Sequence, residues 1–421
     1  MNILFTLHNI ACRGGSERVV INLANELCQI PNLNVSIVSY YTDTTASKPH
    51  SYWLDSRVNV SYLYNHDEIH KKGLSKIIWR WTKPLIINLL MNRKYKDYDI
   101  IIESDFAFFY PRFRAKNTKY IKIMHSIINK WKPKNNLFDC IIFLNEKELL
   151  GWQSYNKNII KIPNFIPSQP YIDLLPKAFK YLNELPNKDK ELQTLLKNYY
   201  QIPNNTSPYT DIQIFKQARY ILKAFISHTL SKQIESEKKY KLIAVGRMDA
   251  INNHKGFPRL IQAYSKIAHK FPSWQLEIIG QDQGQKKLLE SQIDSLKMQD
   301  YIILKPFTTN IESLYLEADI FVMSSHLESL PMVLIEAASF GLPLVAYDIG
   351  TIRDCFDNNG ILVEDNNEEQ FCLAMQTLMS DNEKRLSMGW NGIKLANTRF
   401  SKDKIVEQWI NLFKTITSIE G

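Results

Sequence analysis

Four side chains in the second half of the chain have the types and spacing to hold a ligand that carries both phosphate and hydroxyl groups. The apolar run Lys241 to Val245 ends in Gly246-Arg247, and Lys255 follows eight residues later, just before Gly256 and a helical period. An Arg and a Lys at the C-terminal edge of a parallel sheet are placed to hold a diphosphate, the first as a bidentate fork and the second as a point charge. Two surface cations in water would read the same way locally; the position after a strand favours the clamp. Downstream, Ser324-Ser325-His326-Leu327-Glu328-Ser329-Leu330-Pro331-Met332-Val333-Leu334-Ile335-Glu336-Ala337-Ala338 carries two carboxylates. Glu328 falls in the loop after a strand, whereas Glu336 falls inside a helix whose neighbours Leu334, Ile335, Ala337 and Ala338 are apolar. A carboxylate buried there needs a partner, and a ribose or sugar hydroxyl is a natural one.

The first half offers weaker signals. Arg13-Gly14-Gly15-Ser16-Glu17 links the first strand to a helix, and two glycines there let backbone approach a ligand while the first-turn N–H groups attract an anion. Plain tight-turn geometry explains the same residues, and the run is not the G-x-G-x-x-G dinucleotide fingerprint. His125 ends a strand in Ile123-Met124-His125-Ser126, a place where a lone histidine is most often structural. Asp97-Tyr98-Asp99 has the Asp-x-Asp pattern of a metal site, but it stands where a helix hands over to a strand, the usual place for Asp caps and turns. The expectation is no metal.

These residues need a scaffold that brings strand ends together. Short apolar runs recur at Ile3 to Leu7, Val35 to Ser39, Val58 to Leu63, Asp99 to Glu103, Tyr120 to Met124 and Cys140 to Leu144, separated by helical periods such as Val20, Leu23, Ala24 and Leu27. The alternation restarts at Lys241 to Val245 and continues through Leu276 to Ile279, Tyr301 to Leu304, Ile320 to Met323 and Leu344 to Tyr347. Ile- and Val-rich strands alternating with amphipathic helices predict parallel sheets covered on both faces. The expected boundaries are 1–165 for an N-terminal domain, 166–239 for a helical insertion approached through Pro163 and opening with Pro167, Pro170 and Pro176, and 240–399 for a C-terminal domain. A final helix over 400–418 has an apolar stripe of Ile405, Trp409, Leu412, Phe413 and Ile416 to bury, and the N-terminal domain is where it is expected to pack.

Length and composition agree. At roughly 150 residues per domain, 421 residues suggest two lobes, and 45% hydrophobic with 23% charged residues is globular. No apolar run reaches the roughly 18 residues of a membrane-spanning helix. The start, MNILFTLHNI, reads as a strand rather than a signal peptide, and five scattered cysteines fit a reduced cytoplasm. The net charge of +9 is uneven: residues 1–165 hold 23 Lys and Arg against 13 Asp and Glu, and the other 256 residues hold 29 against 30. Basic excess by itself does not choose among nucleic acid, anionic lipid and an acidic ligand. Residues 70–96 interleave Lys71, Lys72, Lys76, Arg80, Lys83, Arg93, Lys94 and Lys96 with Leu74, Ile77, Ile78, Trp79, Trp81, Leu85, Ile86, Leu89 and Leu90, with Pro84 dividing them. Such a helix either covers its sheet with cations in water or lies in an anionic membrane interface.

Taken together, Gly246-Arg247 with Lys255, the Glu, seven residues, Glu spacing of Glu328 and Glu336, and Gly14-Gly15-Ser16-Glu17 resemble the retaining GT-B glycosyltransferases of family 4. Pro163-Asn164 matches that family's hinge approach. The resemblance implies two doubly wound Rossmann-like domains facing a central cleft. It implies that Arg247 and Lys255 neutralise the leaving diphosphate, Glu336 holds the donor ribose, and Glu328 holds hydroxyls of the moving sugar. Ser329, Leu330 and Pro331 would complete the donor site, Gly14 and Gly15 would touch phosphate or acceptor, and His125 would stand near the sugar. No cofactor is implied beyond a nucleotide-sugar donor, with UDP the family habit. The implied acceptor is a glycan or lipid-linked sugar, the implied setting bacterial surface polysaccharide biosynthesis (lipopolysaccharide, capsule or O-antigen) on the inner face of the cytoplasmic membrane, and nucleic acid is not an expected partner. Ser329 departs from the family's Gly, and Gly280-Gln281-Asp282-Gln283-Gly284 departs from its G-x-G-P. Two other classes fit the same fold, a UDP-sugar 2-epimerase and a protein that only binds nucleotide-sugar.

Overall fold

The computed structural model describes residues 1–12, 14–42, 50, 52–67, 72–104, 109–167, 174–186, 188, 190–200, 212–229, 240–308 and 310–418. The chain divides into two compact units, Met1–Phe165 with Lys402–Gly421, and Ile166–Ser401.

In the first unit the order is β1 (Asn2–Leu7), α1 (Gly15–Leu27), β2 (Asn34–Ser39), β3 (Asn59–Tyr62), α2 (Gly73–Lys94), β4 (Ile100–Glu103), β5 (Lys119–Met124), β6 (Cys140–Phe143), α3 (Glu146–Trp152) and β7 (Ile159–Lys161). The seven strands are all parallel, in the order β3-β2-β1-β4-β5-β6-β7. Runs such as Ile100-Ile101-Ile102 are apolar on both faces because helices cover both sides of the sheet. Both β2 and β4 flank β1, so strand order reverses there and opens a crevice at the C-terminal strand ends.

Helix α2 runs unbroken through Pro84, where the sequence suggested a division. A proline removes one i→i−4 bond, but Ile87 and Met91 are fully buried beyond it and anchor the second half. Asn88, also buried, accepts a hydrogen bond at Oδ1 from the Phe113 N–H at 2.8 Å. His70 and Lys71, which open the basic segment, lie outside the described residues, as does Arg13.

The second unit begins with α4 (Leu175–Glu184), α5 (Lys190–Tyr200) and α6 (Ile212–Thr229). Its sheet region follows as β8 (Tyr240–Val245), β9 (Met248–Asp249), α7 (Phe257–Ser265), β10 (Trp274–Gly280), β11 (Asp282–Gln283), α8 (Lys286–Ser295), β12 (Ile302–Pro306), α9 (Ile311–Glu317), β13 (Ile320–Met323), α10 (Met332–Ser339), β14 (Leu344–Asp348), β15 (Gly360–Glu364), α11 (Glu368–Ser380) and α12 (Asn382–Arg399). Six parallel strands lie in the order β12-β10-β8-β13-β14-β15, while β9 and β11 form a small separate ribbon. The switch point is at β8, flanked by β10 and β13, and a core of Leu242, Ile261, Leu276, Ile320, Val322 and Phe371 holds the helices to this sheet.

The described helices of segment 166–239, which its sequence set apart as an insertion, fall in this unit. Buried Arg219 of α6 donates to Ala318 O at 2.5 Å, Phe340 O at 2.9 Å and Gly341 O at 3.1 Å. A guanidinium there satisfies carbonyls left open where α9 and α10 end. The last helix, α13 (Lys402–Ser418), belongs to the first unit and packs against α1. It buries Ile405, Trp409, Phe413 and Ile416, and Lys402 Nζ stands 3.2 Å from the Glu26 carboxylate on α1.

Candidate functional site

The loops that follow β8 and β13 straddle the switch point of the second unit. Gly246 and Arg247 follow β8, and Lys255 ends the loop that leads into α7. Arg247 is exposed and forms no ion pair among the described residues. A Cβ on Gly280, at the end of β10, would come within 1.7 Å of Gly246 O, so only glycine allows these two strand ends to approach so closely. A Cβ on Gly246 would meet the Lys255 stem at 2.8 Å, which shows the lysine lying across that backbone.

From there Lys255 Nζ reaches Glu328 Oε1 at 2.6 Å. The same carboxylate oxygen accepts from Ser325 Oγ at 2.8 Å, and Thr351 Oγ1 donates to the Glu328 carbonyl at 2.5 Å. The lysine and the glutamate are only partly exposed, at 23% and 15%. A charge-assisted pair at this depth orients both groups toward the strand ends.

The two loops are sewn together by groups that spacing alone did not single out. Ser324 Oγ donates to Lys255 O at 2.9 Å and Gly256 O at 3.0 Å. The His326 N–H donates to His254 O at 2.7 Å. Gly256 has φ +62°, and a Cβ there would meet Ser324 O at 2.1 Å. Arg259, one turn into α7, donates through Nε to Ser324 O and through Nη2 to Ser325 O, both at 2.6 Å. It also pairs with Asp365 at 2.8 Å and lies 4.2 Å over the Tyr347 ring. The signal for Arg259 in the sequence is its position four residues after Lys255; its partners, sixty-odd residues away, leave none.

Glu336 is 5% exposed, in the second turn of α10, and accepts from Tyr315 OH at 3.2 Å through Oε2. The partner that its apolar surroundings demand is thus at least in part a tyrosine from α9. Ser329, Leu330 and Pro331 are buried as the chain turns into α10, with Pro331 as its N-cap. Lys255, Glu328 and Ser325 therefore stand together, Arg247 lies at the adjoining strand end, and Glu336 lies in the helix that follows.

Three candidates fall in the first unit. Gly14 caps α1; a Cβ on it would meet Glu17 Oε2 at 2.0 Å, and Tyr52 OH donates to its carbonyl at 3.3 Å. Gly15 has open space where a Cβ would stand. His125 follows β5, and its Nε2 is buried without a hydrogen-bond partner among the described residues. Burial pushes its pKa down from 6.5 to about 4, so the imidazole is neutral at physiological pH. In the Asp97-Tyr98-Asp99 run, Asp99 Oδ2 accepts from the Asn2 N–H at 2.6 Å and ties β4 to the start of β1.

Comparison with known proteins places this geometry. Residues 227–395 match the model of the family described as glycosyl transferases group 1. An uncharacterized glycosyltransferase of Haemophilus influenzae is 26% identical over 96% of this chain and 98% of its own length. Among solved structures, WaaG, a glycosyltransferase involved in lipopolysaccharide biosynthesis, superposes with TM-score 0.65 at 14% identity, covering 98% of this chain and 99% of that one. Anabaena Alr3699/HepE in complex with UDP superposes with TM-score 0.64 at 16% identity, covering 99% and 100%. Residues 227–395 thus match the glycosyl transferases group 1 family, and the chain as a whole has the GT-B fold of these solved structures.

Proposed function

We propose that this protein is a retaining glycosyltransferase of family 4. It would move a sugar from a nucleotide-sugar, UDP-linked by preference, to a glycan or lipid-linked acceptor in bacterial surface polysaccharide biosynthesis. The observation that carries the reading is the Lys255–Glu328 pair at the switch point, with Arg247 at the adjoining strand end. A cation beside a carboxylate suits a ligand whose charged diphosphate adjoins a hydroxyl-rich ring. Lys255 and Arg247 take up charge on the leaving diphosphate while Glu328 accepts from sugar hydroxyls, which matters most as the anomeric carbon gains positive charge. Glu336 accepts from the donor ribose. Gly14 and Gly15 touch phosphate or acceptor, and His125 stands near the sugar as a neutral hydrogen-bonding group. The bond from the anomeric carbon to the diphosphate oxygen breaks, the bond to the acceptor oxygen forms on the same face, and the leaving phosphate takes the acceptor proton. Neither a protein nucleophile nor a metal enters the scheme. The part of WaaG in lipopolysaccharide biosynthesis and the UDP bound by the Anabaena protein support the acceptor and donor classes.

In this reading the protein works in the cytoplasm as a peripheral enzyme of the membrane's inner face, with the basic, apolar-striped α2 as its contact. No helix among the described residues is long and apolar enough to cross a membrane. The test is thermal denaturation against UDP-, GDP- and ADP-sugars, since a ligand at 100 times its Kd adds ~2.7 kcal/mol. Stabilisation by one nucleotide series, diminished in Glu336→Gln, supports the reading; no stabilisation by any nucleotide-sugar sinks it.

A further inference from the structure

Helix α2 presents an apolar stripe to solvent. Leu74, Ile77, Ile78, Trp81, Leu85 and Leu89 recur at helical spacing, all of them exposed, Trp81 by 81%. The opposite face, with Ile87 and Met91, is the one that packs on the sheet. A contiguous exposed apolar stripe marks an interaction surface.

Beside the stripe lies a groove of about 410 Å³, with Ile77, Trp81, Pro84 and Leu85 as one wall and Tyr110, Arg112 and Lys134 as the other. The second wall is rigidly placed. The Phe113 N–H is tied to Asn88 of α2, and Tyr110 packs edge-on against Phe138. Lys134 Nζ sits 3.9 Å from the centre of the Tyr110 ring, and the buried Lys122 ammonium stands 4.4 Å from the same centre. Arg112 and Lys134 form no ion pair among the described residues. Partial burial first, and then the positive charges of Lys132 and Arg112, hold the Lys134 pKa below the usual lysine value. Among the described residues Arg112 and Lys134 have no ion-paired acid, although the Glu103 carboxylate acts on Tyr110 of the same wall, and an anion would supply the two cations with a counter-charge.

Three kinds of occupant can be weighed. A free phosphate would satisfy the cations and leave the apolar wall in water. A second copy of the chain would bring the same cations, with Lys72 and Lys76, against themselves. A phospholipid satisfies both walls at once, and Trp81 stands where the hydrocarbon would meet the headgroup, the usual station of tryptophan at a membrane surface.

We propose that this groove seats one anionic phospholipid, with its phosphate between Arg112 and Lys134 and the upper part of its acyl chains along Ile77, Trp81, Pro84 and Leu85. The inference rests on the peripheral-membrane part of the reading above and adds to it a discrete lipid site. A diffuse basic surface would respond to total charge alone; a site responds to which cations are removed.

The experiment uses the full chain and two probes. The first is short-chain phosphatidylglycerol below its micelle concentration, which has no bilayer surface potential, with short-chain phosphatidylcholine as the uncharged control. The second is sedimentation with phosphatidylcholine vesicles with and without phosphatidylglycerol at low salt. The variants are Arg112→Gln/Lys134→Gln and, with equal charge loss, Lys72→Gln/Lys76→Gln. Short-chain phosphatidylglycerol should bind the wild type, measured as a rise in Tm and by titration. The groove variant should bind it at least about tenfold more weakly, as loss of hydrogen bonds to a charged phosphate implies. The Lys72/Lys76 variant should change little. Equal weakening in both variants, or vesicle binding by a protein that ignores the monomeric lipid, overturns the site and leaves the peripheral reading standing. Failure of the wild type to sediment with phosphatidylglycerol vesicles overturns both.

Discussion

Replacing Lys255 by Ala separates a structural cation from a working one. The lysine meets Glu328 at 2.6 Å, with side chains 23% and 15% exposed. Removing one partner of a fully buried pair costs about 3–5 kcal/mol, whereas exposed pairs are worth about 0–1 kcal/mol. This pair lies between, and Glu328 keeps the Ser325 hydroxyl at 2.8 Å. A loss of about 1–2 kcal/mol is therefore expected, which for a unit of this size lowers Tm by roughly 3–6 °C. Turnover should fall much further, by a factor on the order of 100 or more, as when other preorganised electrostatic groups are removed. The double variant Lys255→Ala/Glu328→Gln divides the two roles, because it no longer strands a charge. Its Tm should recover toward wild type while its turnover stays low. The assay is release of nucleoside diphosphate from the best-stabilising nucleotide-sugar, run beside calorimetry. Turnover like wild type in a folded Lys255→Ala protein, or activity that returns with Tm in the double variant, would refute the reasoning.

Glu336→Gln keeps the shape of a buried acceptor but removes its charge, so donor Kd should rise about tenfold by titration; an unchanged Kd removes Glu336 from the donor site. Arg259→Ala cuts two 2.6 Å bonds to Ser324 O and Ser325 O, so kcat should fall more than donor KM rises, with partial rescue by Arg259→Lys; a change in Tm alone would make Arg259 merely structural. His125 carries a folded pKa of about 4 against 6.5, so the unfolded chain takes up a proton first as pH drops. Its contribution is complete above pH ~6.5 and is lost toward pH ~4 at about 1.4 kcal/mol per pH unit, a slope that His125→Gln should remove from the acid side of the stability curve.

The first sheet was legible where apolar β-branched residues run together, as in β4 and β5, because strands covered on both faces have no polar alternation to hide them. Of the short edge strands, β3 and β12 were legible as apolar runs, whereas β7 and β15 were not. β7 has three residues, and β15 opens with Gly360 after Asn358-Asn359 and leaves most of its side chains partly exposed, so each reads locally as a turn. Pro84 read as a break because local chemistry says so, and it was overridden by burial of Ile87 and Met91 that only the fold supplies. Lys255 and Glu328 could be picked out because each follows a recognisable strand. Arg259 and Tyr315 could not, since their meaning lies in partners 65 and 21 residues away. The groove beside α2 was half visible: its helix wall is periodic, but Arg112 and Lys134 come from two separate segments that no spacing connects.

Transfer of a sugar from a nucleotide donor is tested most directly by following a ¹³C-labelled nucleotide-sugar by NMR with the purified protein. The predicted result is release of nucleoside diphosphate with the labelled anomeric carbon appearing, in its original configuration, on an acceptor or on water. A nucleotide-sugar recovered as its C2 epimer, or bound and returned intact, would contradict it.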